Sequence, residues 1–63
     1  MNDVEQTAIA VENYRRKRAL LAFDWMATEI VKQAEQFGQM EIALSAASLT
    51  TVIRRVIRAE KIS

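Results

Sequence analysis

The sequence predicts an all-α protein, a long antiparallel hairpin of two helices that assembles as a homodimeric four-helix bundle. Three observations predict this fold. The 63 residues include one Gly and no Pro, so helix formers continue almost without interruption on both sides of Gly38. The apolar residues recur at helical spacing. With no Cys and no His, so small a domain is expected to gain stability by binding a second copy, since disulfide and metal staples are absent.

The first helix is expected from about residue 3 to residue 37, with apolar residues in two stripes of heptad spacing. The C-terminal stripe consists of Leu20, Phe23, Ala27, Ile30, Ala34 and Phe37. The N-terminal stripe, on roughly the opposite side, consists of Val4, Thr7, Val11, Tyr14, Arg18, Leu21, Trp25 and Thr28. A helix that is apolar on two sides must be covered from two directions.

Gly38 is expected to end the first helix, because glycine readily adopts the left-handed backbone that closes a helix. The second helix is expected over about residues 39 to 62, and a break at "SAAS" (45–48) is the alternative that would give three helices. Its apolar face consists of Ile42, Ala46, Leu49, Val52, Ile53, Val56 and Ile57. Folded back, this face is expected to cover the C-terminal stripe and to leave the N-terminal stripe open.

The turn at Gly38 also predicts which residues face each other across the hairpin. Residue i should lie near residue 76 minus i, which places Arg16 beside Glu60. Asp24 is expected to form an interhelical ion pair with Arg55. At about 1.5 Å per residue, the first helix is about 50 Å long and the second about 36 Å, so the first should overhang by several turns.

A second copy of the chain, or another protein, is expected to cover the uncovered stripe. Aromatic residues concentrate binding energy at interfaces, and a charge within a stripe either extends to its rim or meets an acid of the partner. The predicted interface residues are Val11, Tyr14, Arg18, Leu21 and Trp25.

Basic residues occur in two places. Residues 15–18, "RRKR", point about 100° apart on a helix and form a collar around its axis, which disfavours a one-sided nucleic-acid patch. On the second helix, Arg54, Arg58 and Lys61 are expected to form an outward ridge with Thr51 and Arg55 beside it. Such a ridge is either a solvated face or a contact for phosphate or an acidic partner.

The segment "EIALSAASLTTVIRRVIRAEKI" (41–62) resembles the helix-turn-helix of bacterial DNA-binding regulators. The resemblance places a turn at Ala46 and Ala47, although Ala47 stands where the family favours Gly. It implies a recognition helix in the major groove, with arginines contacting guanine edges and Thr or Arg holding phosphates. The residues in those positions would be Thr50, Thr51, Arg54, Arg55 and Arg58.

Composition excludes several other functions. The net charge of +1 is too balanced for global attraction to nucleic acid or membrane, and the longest apolar run, "ALLAF", is too short to span a bilayer. Without His, Cys or a Gly-rich loop we expect no enzyme activity, cofactor, metal or small-molecule substrate. We therefore expect a cytoplasmic, non-enzymatic regulatory or adaptor protein of the inhibitor or anti-activator type, with a helix-turn-helix transcriptional regulator as the alternative.

Overall fold

The computed structural model describes residues 2–60, which form two α-helices. Helix α1 spans Asn2–Gln36 and helix α2 spans Met40–Ala59. Helix α2 folds back along α1 and packs against it antiparallel, giving a rod of 56 × 18 × 15 Å. The predicted all-α hairpin is thereby confirmed. The predicted continuation of the second helix to residue 62 lies partly outside the described residues.

The turn between the helices depends on Gly38, whose φ of 72° lies in the left-handed region. The Gly38 N–H donates to the Glu35 carbonyl at 3.1 Å, and the Gln39 N–H donates to the Ala34 carbonyl at 2.7 Å. These two bonds form a Schellman motif, which satisfies carbonyls that the end of a helix would otherwise leave unpaired. A side chain at this φ would be strained, and that is why the only glycine marks the turn.

Small side chains fill the contact between the two helices. The residues buried there are Ala27 and Ala34 of α1, with Ala43, Ala46, Thr50 and Ile53 of α2. Thr50 is compatible with burial because its hydroxyl donates to the Ala46 carbonyl at 3.0 Å. Among residues 2–60, Ile53 is the largest of the buried side chains. The hairpin therefore closes on alanines, and its larger apolar side chains remain outside.

This arrangement corrects the predicted covering of the C-terminal stripe. Ala27 and Ala34 are buried as expected, but Phe23, Ile30 and Phe37 remain exposed. On α2, Ile42 and Leu49 are likewise about half exposed, at 51% each. On both helices the contact is rotated toward the small side chains, because close packing of two helices selects them.

Two interhelical ion pairs test the predicted register. Arg16 bonds to Glu60, as the rule based on Gly38 predicted. Asp24, in contrast, pairs with Arg54, whose Nε lies 3.1 Å from Oδ1, so the predicted partner Arg55 is wrong by one residue. Because neighbours on a helix point about 100° apart, this difference moves Arg54 from the outward face to one edge of the hairpin.

Helix α2 is continuous through residues 45–48, so the three-helix alternative is wrong. The turn that the helix-turn-helix resemblance places at Ala46 and Ala47 is absent from the described part of the chain. Ala46 instead lies in the middle of the continuous helix α2 and is buried against α1. Residues 41–59 are accordingly one arm of the hairpin.

The hairpin exposes more surface than a compact domain of its size. Its accessible surface is 5348 Å², whereas a compact monomer of 7.2 kDa exposes about 4100 Å². Every residue from 3 to 19 is exposed, since α1 extends beyond the point where Arg16 meets Glu60. The single chain leaves apolar surface uncovered both along the hairpin and on this overhang.

Candidate functional site

One long edge of the hairpin is apolar, and we call it the apolar flank. It consists of Phe23, Met26, Ile30 and Phe37 of α1 with Ile42 and Leu49 of α2, and the exposed Val52 and Val56 extend it on α2. Two grooves between the helices show which of these side chains of α1 and α2 lie side by side. One brings Phe23, Met26 and Ile30 together with Leu49 and Ile53. The other brings Ile30 and Phe37 together with Ile42, and the shared Ile30 makes the two grooves continuous.

The size of the apolar flank is unusual for a surface that stays in water. Its eight side chains keep between 37% and 72% of their surface exposed. A side chain of this size has on the order of 150 Å² of surface, and the eight side chains are about half exposed. The flank therefore presents roughly 600 Å² of apolar surface. That value is at the upper limit of about 300–600 Å² for the largest patch on a typical monomer. Such a surface can contribute to binding by burying its apolar area against another chain.

The opposite edge, the polar flank, consists of Asp24, Thr28, Ala47, Thr51 and Arg54. Its polar groups bond to one another within the chain. Arg54 donates to Asp24, the Thr28 hydroxyl donates to the Asp24 carbonyl at 2.8 Å, and the Thr51 hydroxyl donates to the Ala47 carbonyl at 3.2 Å. Each of these polar side chains therefore has a hydrogen-bond partner within residues 2–60.

The described part of the predicted basic ridge begins on the polar flank. Arg54 lies on the polar flank, where the Asp24 carboxylate offsets its charge, and Thr51 lies beside it. Arg58 follows Arg54 by one helical turn and is exposed, whereas Arg55 is exposed about 100° further around α2. Lys61 lies outside the described residues. Contact between these side chains and a phosphate or an acidic partner stays a prediction.

The predicted interface residues of the N-terminal stripe all lie on the exposed surface of α1. They are Val11, Tyr14, Arg18, Leu21 and Trp25. The Arg18 guanidinium carbon lies 5.8 Å from the centre of the Tyr14 ring, and its Nη1 lies 3.5 Å from the Tyr14 hydroxyl oxygen. Trp25 keeps 67% of its surface exposed. At about 100° per residue, this stripe points roughly 160° away from α2.

Three structural observations concern other kinds of site. No cluster of three or more His, Cys, Asp or Glu suited to a metal ion occurs among residues 2–60. Neither α1 nor α2 has a segment of the length and hydropathy that crossing a bilayer requires. Every buried side-chain polar atom in the described part of the chain has a hydrogen-bond partner.

Comparisons with known proteins give no further guide to function, since no family model, curated protein or solved structure matches the chain. The features that bear on function are therefore the exposed surfaces of the hairpin, above all the apolar flank and the N-terminal stripe. Sequence reasoning missed the apolar flank because it gave weight to large apolar residues when placing the helix contact. The signal that could have found it is the spacing of small residues, with Ala27 and Ala34 seven apart and Ala43, Ala46 and Thr50 three and four apart.

Proposed function

We propose that this chain is a non-enzymatic regulatory or adaptor protein that acts by binding another protein as a homodimeric four-helix bundle. The observation that carries the proposal is the apolar flank, an uncovered surface that follows both helices of the hairpin. Two hairpins that bring these flanks together would bury Phe23, Ile30 and Leu49 in a common core. That geometry is typical of four-helix bundles.

The area of the flank supports a second copy as its occupant. A stable interface buries about 800 Å² per partner. The apolar flank supplies roughly 600 Å² of that area, and a polar rim around it would supply the rest. Glu29, Gln33 and Gln39 line the same groove as Ile30 and Phe37 and are available for that rim. A self-complementary patch of this kind is what a two-fold dimer requires.

The regulatory role follows from what remains accessible after dimerisation. The exposed first half of α1, residues 3–19, and the N-terminal stripe would project from the bundle. A small bundle with exposed aromatic and basic side chains is suited to occupying a surface of a larger protein, as an inhibitor or anti-activator does.

Sedimentation equilibrium of the full chain tests the dimer. We expect a mass twice that of the chain at micromolar concentration, with helicity that rises with protein concentration because folding and association are coupled. A monomer whose helicity is independent of concentration would refute the dimer.

Affinity purification from the native host, with and without nuclease, tests the protein-binding role. A protein that co-purifies with the dimer in fixed ratio after nuclease treatment is expected. Salt-dependent retardation of duplex DNA that is lost on Arg58→Glu would favour the DNA-binding alternative instead.

A further inference from the structure

The N-terminal stripe is separate from the surface assigned to the dimer. At about 100° per residue, its residues point roughly 130° around α1 from the apolar flank. Dimerisation through Ile30 and Leu49 would therefore leave Tyr14, Leu21 and Trp25 exposed. We propose that this stripe is a docking site for an acidic amphipathic helix of another protein, an inference that rests on the proposed protein-binding function.

The spacing of the stripe defines the shape of its partner. Val11, Tyr14, Arg18, Leu21 and Trp25 follow one another by three, four, three and four residues. This repeat presents side chains along one line of the helix, as the contact positions of a coiled coil do. From Val11 to Trp25 the line is about 21 Å long, or nearly four helical turns. A single helix of about 15 residues fits this line.

The charge around the stripe defines the chemistry of its partner. Residues 11–25 contain four basic side chains and two acids, Glu12 and Asp24, and Glu12 points roughly 140° around α1 from the stripe. Arg16 is bonded to Glu60, while Arg15, Lys17 and Arg18 form no ion pair within residues 2–60. The nearest acid that follows, Asp24, is already bonded to Arg54. Carboxylates of an incoming helix would therefore meet cations with little competition from the chain itself.

Arg18 is already held in position to receive such a carboxylate. Its guanidinium lies over the Tyr14 ring, which reduces the freedom that the side chain must lose on binding. A guanidinium has five N–H donors, and the contact with the Tyr14 hydroxyl occupies one of them. The remaining donors can bind a carboxylate through two parallel hydrogen bonds.

The same residue disfavours a second copy as the occupant. Arg18 is the midpoint of the stripe from Val11 to Trp25. A two-fold axis centred on the stripe, whether the helices run parallel or antiparallel, would place Arg18 opposite Arg18. Like charges in an interface weaken association. An acidic helix replaces that repulsion with attraction.

Fluorescence of Trp25, the only tryptophan, tests the inference with two synthetic peptides. Both are helices of about 18 residues with Leu at heptad positions, and the flanking positions carry Glu in one peptide and Lys in the other. We expect the Glu peptide to shift Trp25 emission to the blue and to bind about tenfold more tightly at low salt, as several exposed ion pairs would produce. The preference should decrease as salt is raised.

Variants identify the residues responsible. Arg18→Glu should abolish or reverse the preference for the Glu peptide, whereas the matched control Arg58→Glu, an exposed arginine on α2, should retain it. Equal binding of both peptides, or no binding of either, would overturn the proposal. Shielding of Trp25 from acrylamide in the dimer without peptide would also overturn it, because the stripe would then be the dimer interface.

These outcomes are distinct from failure of the proposed dimer. A monomer in sedimentation that still prefers the Glu peptide refutes the flank dimer alone. An intact dimer without that preference refutes the acidic-helix site alone.

Discussion

The two long edges of the hairpin have the same backbone but opposite chemistry. On the polar flank, Asp24, Thr28, Thr51 and Arg54 bond within the chain. On the apolar flank, six of the eight large apolar side chains line grooves that nothing within residues 2–60 covers. Arg54 and Asp24 satisfy each other across the two helices, because a hydrogen bond needs only one partner at the right distance. The hydroxyls of Thr28 and Thr51 donate to carbonyls of their own helices. Apolar side chains need cover from all sides, which two helices cannot provide.

This difference shows where the hairpin is complete and where it depends on another chain. The contact between the helices buries alanines and one isoleucine, which contribute little apolar area for a domain of 63 residues. Of the sixteen large apolar side chains exposed among the described residues, eight lie on the apolar flank, and both helices contribute to this one surface. Stability and association should therefore respond to changes on that flank more strongly than to any other change.

The largest effect is expected from Leu49→Glu on the apolar flank. A carboxylate buried at a two-fold interface lacks a partner in both copies, and we expect the dimer dissociation constant to rise by at least about 100-fold. Sedimentation velocity over a concentration series measures this change. Ala47→Glu, on the polar flank of the same helix, is the matched control and should leave the dimer intact. Equal weakening by both substitutions would contradict the distinction between the flanks.

Ala34→Leu tests the close contact that separates the two flanks. Ala34 is 6% exposed, so a larger side chain must push the helices apart, and the free energy of unfolding should fall by about 1–3 kcal/mol. Urea denaturation at a fixed protein concentration measures the change. The same substitution at the exposed Ala22 is the control, with an expected change within about 0.5 kcal/mol. A stabilising effect of Ala34→Leu would show that the two helices do not pack closely through these alanines.

Gly38→Ala tests the turn that brings the flanks into register. No atom lies within 4 Å of an added Cβ, so the cost is the backbone strain at a φ of 72° alone, about 1–2 kcal/mol. Gly38→Asn should cost less, because asparagine tolerates the left-handed region better. Thermal unfolding followed by circular dichroism ranks the three proteins. An alanine variant as stable as the wild type would show that the turn does not require the left-handed conformation.

The smallest effect is expected from the ion pair on the polar flank. Asp24→Asn should lower the free energy of unfolding by about 0.2–1 kcal/mol, because Arg54 is largely exposed and solvent screens the pair. A double-mutant cycle with Arg54→Gln isolates the interaction, which should weaken in high salt. A coupling energy larger than the free-energy change that Leu49→Glu causes in dimerisation would reverse the comparison of the two flanks.

Much of the architecture could be predicted from Gly38 and the missing prolines. Those features determine the hairpin and its register, and the register correctly predicted the pair of Arg16 and Glu60. The faces were harder to predict, because apolar periodicity gives most weight to large side chains. The contact instead follows Ala27 and Ala34, since close approach of two helices favours small residues. That shift exposed Phe23 and Ile30 and moved Arg54 to pair with Asp24.

The overhang of α1 has a consequence for hydrogen exchange. Residues 3–15 precede the pairing of Arg16 with Glu60, and an isolated helix of about 12–15 residues is only marginally stable in water. Amide protons there should exchange with deuterium much faster than those around Ala27 and Ala34. A partner that contacts Val11 and Tyr14 would slow this exchange without altering the hairpin contact. The exchange rate of residues 3–15 would thus show whether the partner is bound.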